Sequence, residues 1–203
     1  MALAIHHCSK PTIAAINGPA VGIGITMTLP AAIRLASSTA KVGFVFSRRG
    51  LVTEACSSYF LPRLIGLSRA MHLTATGSVY PASDPLLNDL FSEILPTPEA
   101  TVTRALETAN DIAKNTSVVS TSLMKAMMHY GPNTAEGAHL LESRLLAGLF
   151  GSKDNDEGVK SFLAKRPPQF RGKMPDDAPG VYPWWEPVNV ANTSKASETK
   201  SKL

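Results

Sequence analysis

Residues 10–24 read KPTIAAINGPAVGIG, and this stretch restricts the possible folds more than any other. Pro11 breaks whatever structure precedes it. The apolar run at 12–16 (TIAAI) is short and lacks in–out alternation, so it suits a strand buried on both faces, as in a parallel sheet. Asn17-Gly18-Pro19 turns the chain, and Gly22 and Gly24 bracket Ile23 just before a helical run at 25–29 that Pro30 limits. Strand, glycine turn and helix start in succession imply an α/β layered fold. The glycines let the backbone turn tightly and leave amide hydrogens unpaired at the helix start, where the helix dipole helps hold an anion or a developing oxyanion. Alternatively, they serve only to pack the turn closely. No Gly-Lys-Ser/Thr ending follows, so the segment is not a phosphate-binding P-loop.

Around this stretch, residues 1–8 read as the end of a helix, and 31–36 (AAIRLA) and 40–46 (AKVGFVF) as strands. A helix is expected over 54–61, kinked or ended at Pro62, and another from a Ser68 cap to about Thr76, with Gly77 as its stop. Ser83 is the expected cap of a short helix, and 90–95 (LFSEIL) suits a strand. From Thr97-Pro98, a cap followed by proline at the first helical position, the period changes to 3.6. Val102, Ala105, Leu106, Ala109, Ile112 and Ala113 share one face as far as Lys114. Further helices are expected at 118–129, at 135–150 behind a Thr134 cap, and at 156–165. The proline-rich segment beyond Arg166 reads as irregular or docked on the surface, and 189–203 as disordered.

The second stretch with chemical content is RRGLVTEACSSYFLPRLIG at 48–66, where Glu54 is a lone carboxylate. A glutamate at a helix start often does no more than satisfy the dipole. Its neighbours Leu51, Val52, Ala55, Cys56 and Tyr59 equally suggest a desolvated acid, and desolvation moves a carboxyl toward the range useful for proton transfer. His6, His7, His72, His129 and His139 are scattered, with no metal spacing and no serine or cysteine motif beside them. Ser57-Ser58 lacks a nucleophile elbow and reads as packing or capping at a helix start. Cys8 and Cys56 are too few for a disulfide framework or a zinc cluster. The net charge of +4 leaves a basic surface or an anionic ligand open, while the absence of basic runs interleaved with aromatics argues against nucleic acid. No apolar run is long enough to span a bilayer, and the chain reads as soluble and intracellular.

With these residues in view, KPTIAAINGPAVGIG resembles the second oxyanion-hole segment of the crotonase (enoyl-CoA hydratase/isomerase) superfamily. The similarity runs through EGVKSFLAKRPPQF at 157–170, covering residues 9–170. The resemblance implies an α/β fold, a spiral of ββα turns with its N-terminal turns missing, followed by a C-terminal helical trimerisation region. It divides the chain into a partial crotonase-like domain at 1–170, with its core to about 115 and helices over 116–170, and an irregular segment and tail at 171–203. Members bind an acyl-CoA thioester and hold its enolate between two backbone amides. Ile23 matches the second donor, with Gly22 and Gly24 lining the substrate. No cofactor is implied, coenzyme A being part of the substrate, and no metal. A homo-trimer or hexamer is implied by the family alone.

The subfamily follows from which acids are present. Hydratases use two glutamates, and the positions matching them here are Thr26 and Phe46. Glu54, in TEACSSYFLP, resembles instead the single catalytic glutamate of the peroxisomal Δ3,Δ2-enoyl-CoA isomerases. The resemblance therefore implies an isomerase that moves a double bond from C3 to C2, with an enoyl-CoA hydratase-type enzyme of a fungal-like secondary-metabolite pathway as one alternative. Lys165 matches a lysine that reaches a CoA phosphate, often from the neighbouring subunit, and Phe162 an aromatic near the acyl end. The closing Ser201-Lys202-Leu203 is a peroxisomal address tripeptide, which implies an import receptor as partner and the peroxisome as location. Thr53 stands in place of the isomerases' proline, and Ala32 in place of a common aspartate. Counting back from Ile23, the place of the first amide donor falls before Met1. A truncated, non-catalytic paralogue or assembly subunit is accordingly the other alternative.

Overall fold

The computed structural model describes residues 1–190. After a short helix α1 (Ala2–His7), strand β1 (Ile13–Ile16) enters a small parallel sheet ordered β1-β3-β6, with β3 at Ile33–Ser37 and β6 at Glu93–Leu95. Its register sets Ile13 opposite Ile33 and Leu35 opposite Glu93. A second sheet takes β2 (Ala20–Val21), β4 (Lys41–Gly43) and β5 (Val79–Pro81), with β2–β4 parallel and β4–β5 antiparallel. The chain thus steps from one sheet to the other and then into helix: β1, β2 and α2 (Ile23–Thr26), then β3, β4, α3 (Ser57–Ile65) and α4 (Leu67–Thr76). This is the spiral of ββα turns that the resemblance implied.

β1 is not buried on both faces. It is an edge strand: only Ile16 is buried, and no described strand pairs with its outer side. There β1 and α5 (Pro98–Asn115) enclose an open cavity of about 900 Å³, lined by Ile13, Ala15, Val102, Leu106, Ala109 and Ile112. The apolar stripe of α5 therefore covers the sheet only in part, and Leu106 remains 60% exposed. β4 stops at Gly43, because Phe46 already begins a 3-10 turn over Ser47–Arg49. α3 accommodates Pro62 inside the helix and runs on to Ile65, its buried residues Phe60, Leu61 and Ile65 outweighing the lost backbone bond. α4 starts at Leu67 behind Gly66, so Ser68 is not its cap, and the short 3-10 turn Pro85–Leu87 is capped by Asp84 rather than Ser83.

One core fills the spiral. Ile25, Leu29, Phe44, Leu61 and Leu73 are essentially fully buried in it. Each contributes about 1.5–3 kcal/mol by leaving water, so the turn that precedes Ile25 stands on a rigid base. A second, smaller core joins α6 (Val118–Tyr130) and α7 (Ala135–Leu149) through Val119, Leu123, Leu141 and Leu145. Met174, Tyr182 and Trp184, from the segment after α8 (Lys153–Leu163), pack against it. Ser152 caps α8, which is why that helix begins before residue 156.

Three polar clamps hold the periphery. Asp154 accepts from the amides of Arg171 and Gly172 at 2.9 and 2.8 Å and from the Ser117 hydroxyl at 2.6 Å. Lys125, nearly buried, donates to the carbonyls of Ile5, His6 and Cys8 and so ties the end of α1 to α6. Trp185 stacks on Tyr130 at 4.2 Å, while the Tyr130 hydroxyl meets His6 Nε2 at 2.9 Å.

Candidate active site

The glycine turn between β2 and α2 is held by two strands' worth of backbone. The Gly22 amide donates to the Gly43 carbonyl at 2.9 Å, and the Gly22 carbonyl accepts from the amides of Ile25 and Thr26. Gly22 has φ 59° and ψ −124°, a conformation costly for any residue with a Cβ. The Ile23 amide, the next along the chain, donates to no described acceptor, and Ile23 is 54% exposed. An outward, unpaired amide is what the oxyanion reading requires. α2 is only one turn long, however, so its dipole adds little and the amide itself must supply the interaction. Gly24 has an ordinary backbone with open space where a Cβ would stand, so its glycine is not demanded by the turn.

Glu54 is not in a helix. It lies in the loop before α3, where Ala55 and Cys56 both adopt left-handed backbone at φ 55° and 60°. Two successive non-glycine residues in that region are unusual, and such strain concentrates at functional sites. The Glu54 carbonyl accepts from the Ser57 amide at 3.0 Å and the Ser57 hydroxyl at 2.7 Å, which pins the loop to the start of α3. Ser57 is buried and packs at the start of α3 as expected, but it does not cap the helix: the N-cap position is Cys56, which makes no side-chain capping bond. Glu54 itself is exposed, and its neighbours Leu51 and Val52 are 63% and 86% exposed. The expectation of a desolvated acid is therefore overturned, because these apolar side chains point outward rather than over the carboxylate.

What joins the two stretches is Thr26. Its hydroxyl, on a residue with no exposed surface, donates to Glu54 Oε1 and also lies 3.2 Å from the Gly22 carbonyl. The lone carboxylate is thereby fixed to the residue three positions beyond Ile23. Sequence reasoning took Thr26 only as a missing acid. A buried hydroxyl at that place was the available signal for a partner to Glu54. Phe46 is half-buried at the head of the 3-10 turn.

Other residues expected near substrate lie elsewhere. Phe162, on the last turn of α8, is 82% exposed and lines a cavity of about 780 Å³ among α6, α7 and α8. Lys165 follows α8 and is exposed, with a left-handed φ of 51°. Neither that cavity nor the one beside β1 is lined by Ile23, Thr26 or Glu54. Ser201, Lys202 and Leu203 lie outside the described residues. The scattered histidines are partly gathered: His6 stands 4.7 Å from His129 and 5.0 Å from His7, ring to ring. Burial, then His129, His7 and Lys125, lowers the His6 pKa to about 4. Burial and Lys125 lower that of His129 as well. Among the described residues no group of three His, Cys, Asp or Glu side chains is arranged to hold a metal, and no helix is long and apolar enough to cross a membrane.

The sequence profile described as enoyl-CoA hydratase/isomerase matches residues 1–173. The chain belongs to the enoyl-CoA hydratase/isomerase family. It is 55% identical over 174 residues to the enoyl-CoA hydratase AFT3-1 of Alternaria alternata, covering 86% of this chain and 59% of that relative. It is 34% identical over 166 residues to the 1,2-epoxyphenylacetyl-CoA isomerase of Escherichia coli, covering 81% and 62%. Its fold is similar to that of the enoyl-CoA hydratase of Bacillus anthracis, with a TM-score of 0.77 at 29% identity over 85% of this chain and 66% of the other. The enoyl-CoA hydratase/isomerase of Cupriavidus metallidurans gives a TM-score of 0.74 at 31% identity, over 84% and 64%. The family chain thus spans less than two thirds of the length of the Alternaria relative.

Proposed function

We propose that this chain carries the acid–base half of an enoyl-CoA isomerase, moving a double bond from C3 to C2 of an unsaturated fatty acyl-CoA. The observation that carries the reading is the Thr26–Glu54 hydrogen bond, which sets one carboxylate beside the Ile23 turn. The family positions of the hydratase glutamates hold Thr26 and Phe46, and neither is an acid. One base suffices to take a proton from C2 and return it at C4. Adding water across a double bond calls for an acid and a base together. The intermediate enolate leans on the Ile23 amide, and a single such donor is typically worth ~3–4 kcal/mol. The exposure of Glu54, Ile23, Leu51 and Val52 supports a surface that substrate would cover. The thioester brings coenzyme A with it, so the reaction needs no further cofactor.

The test is to incubate the purified chain with a 3-enoyl-CoA and follow formation of the conjugated 2-enoyl thioester. Glu54→Gln is expected to lower the rate by about 10²–10⁴-fold. An unchanged rate in that variant would sink the single-base mechanism.

A hydratase reading is favoured by one observation, the name of the Alternaria relative at 55% identity. It predicts 3-hydroxyacyl-CoA from 2-enoyl-CoA at a rate matching isomerisation. Inactivity in both assays would favour a non-catalytic subunit. The exposed apolar residues Leu140 and Leu146 of α7, Phe150 just after it, and Val159, Phe162 and Leu163 around the end of α8 support self-association, which sedimentation would measure. The peroxisome is the proposed location, on the terminal Ser201-Lys202-Leu203. A fluorescent fusion that loses its punctate pattern when those residues are removed would support it, and an unchanged pattern would refute it.

A further inference from the structure

Thr26 is wholly buried and Glu54 is exposed, so their hydrogen bond ties the carboxylate down to the core. The Thr26 hydroxyl is within reach of two acceptors, Glu54 Oε1 and the Gly22 carbonyl at 3.2 Å, and it has one proton to give. Charge decides between them. A hydrogen bond to an ionised acceptor is roughly twice as strong as one between neutral groups. While Glu54 is a carboxylate the proton goes to Oε1. Once Glu54 has been protonated that advantage falls away, and the Gly22 carbonyl competes for the same proton.

We propose that Thr26 is a positioning residue that holds Glu54 as a carboxylate and slackens its hold when Glu54 becomes an acid. By occupying Oε1 it leaves Oε2 as the oxygen that moves the proton. The geometry stands alone, but its consequence for catalysis rests on the isomerase reading above. In the first step Oε2 takes the proton from C2. The C2–H electron pair becomes the C1=C2 bond of the enolate, and the carbonyl pair moves onto the thioester oxygen. In the second, that oxygen pair re-forms the carbonyl and the C1=C2 pair shifts to C2=C3. The C3=C4 pair then takes the proton from Oε2 at C4. One side chain must therefore reach two carbons, first as an anion and then as an acid. An anchor that weakens on protonation serves both steps. The competing acceptor, the Gly22 carbonyl, also receives the amides of Ile25 and Thr26, so it belongs to the turn that presents the Ile23 amide.

The experiment uses the full chain with Thr26→Val, which is nearly isosteric but has no hydroxyl, and Thr26→Ser, which keeps it. Thr26→Ala stands in if the valine variant does not fold. Side-chain order of Glu54 is read by NMR relaxation of isotopically labelled glutamate methylenes at neutral pH, and requires no turnover. Thr26→Val is expected to leave Glu54 disordered, and Thr26→Ser to restore the wild-type order. With 3-enoyl-CoA as substrate, Thr26→Val is expected to lower kcat about 10- to 100-fold, with KM little changed. Deuterium placed at C2 should appear at C4 less often, because a loose acid exchanges with water before delivering it. Equal order in wild type and Thr26→Val overturns the proposal, as does a serine variant that fails to rescue what valine loses. If the wild type shows no turnover but valine still releases Glu54, the anchor stands and the isomerase reading fails. Turnover with unaltered Glu54 order means the reverse.

Discussion

Gly22 and Gly24 form a matched pair for testing what the site turn requires. A Cβ built at either position meets no atom within 4 Å, so steric crowding is the same for both, namely none. They differ in backbone. Gly22 sits at φ 59° and ψ −124°, whereas Gly24 lies within α2 at an ordinary φ. Gly22→Ala is expected to cost about 1–3 kcal/mol from backbone strain alone, or to re-form the turn and aim the Ile23 amide elsewhere. Gly24→Ala gains up to about 1 kcal/mol of helix propensity and should leave stability unchanged or raised. For a chain of this size 1 kcal/mol corresponds to about 2–4 °C in Tm. Gly22→Ala should therefore melt several degrees lower and Gly24→Ala no lower than wild type, measured by calorimetry and urea titration. In the isomerase assay Gly22→Ala should lose activity at the kcat level. Gly24→Ala should raise KM if the thioester passes over that open space. Equal destabilisation by the two alanines would refute the assignment of Gly22 to a positive-φ turn.

Two further outcomes follow from the clamps. Asp154→Ala leaves two amides and a hydroxyl without their acceptor and should cost about 3–5 kcal/mol. Asp154→Asn, which still offers one oxygen to the Arg171 and Gly172 amides, should cost clearly less, and urea titrations giving the two variants equal stability would contradict the geometry. The histidine cluster sets a pH dependence. Because the folded His6 pKa is lowered to about 4 from 6.5, the unfolded chain takes up the proton first. That stability is present above pH 6.5 and is lost as pH falls toward 4. Allowing for the partial exposure of the ring, the loss is on the order of 1 kcal/mol. His6→Gln should flatten the stability profile between pH 6.5 and 5, where carboxylates contribute little. An unaltered slope would show that His6 is not the group responsible.

What the sequence disclosed was local. Thr97-Pro98 marks the start of α5, and Thr134 that of α7, because a cap and a fixed φ act within one turn of chain. The Gly22–Ile23–Gly24 turn was legible for the same reason. β2 and β5 were not, since strands of two or three residues have no periodicity of their own and exist only through pairing with β4. The helix expected to start at Glu54 begins at Ser57, because two left-handed residues intervene that no propensity foretells. The partners of Glu54, Lys125 and Asp154 were hidden for a different reason. Each bond joins residues far apart in the chain, as with Lys125 and the carbonyls of α1.

Tyr130 has a practical consequence for anyone who expresses this chain. The family profile ends at residue 173, and a boundary drawn there would look safe. It would remove Met174, Tyr182 and Trp184 from the second core, together with the ring that stacks on Tyr130. Tyr130 also meets His6, so the cut would be felt at the other terminus, where α1 leads into β1. The packed unit therefore runs past the residues that the family profile matches.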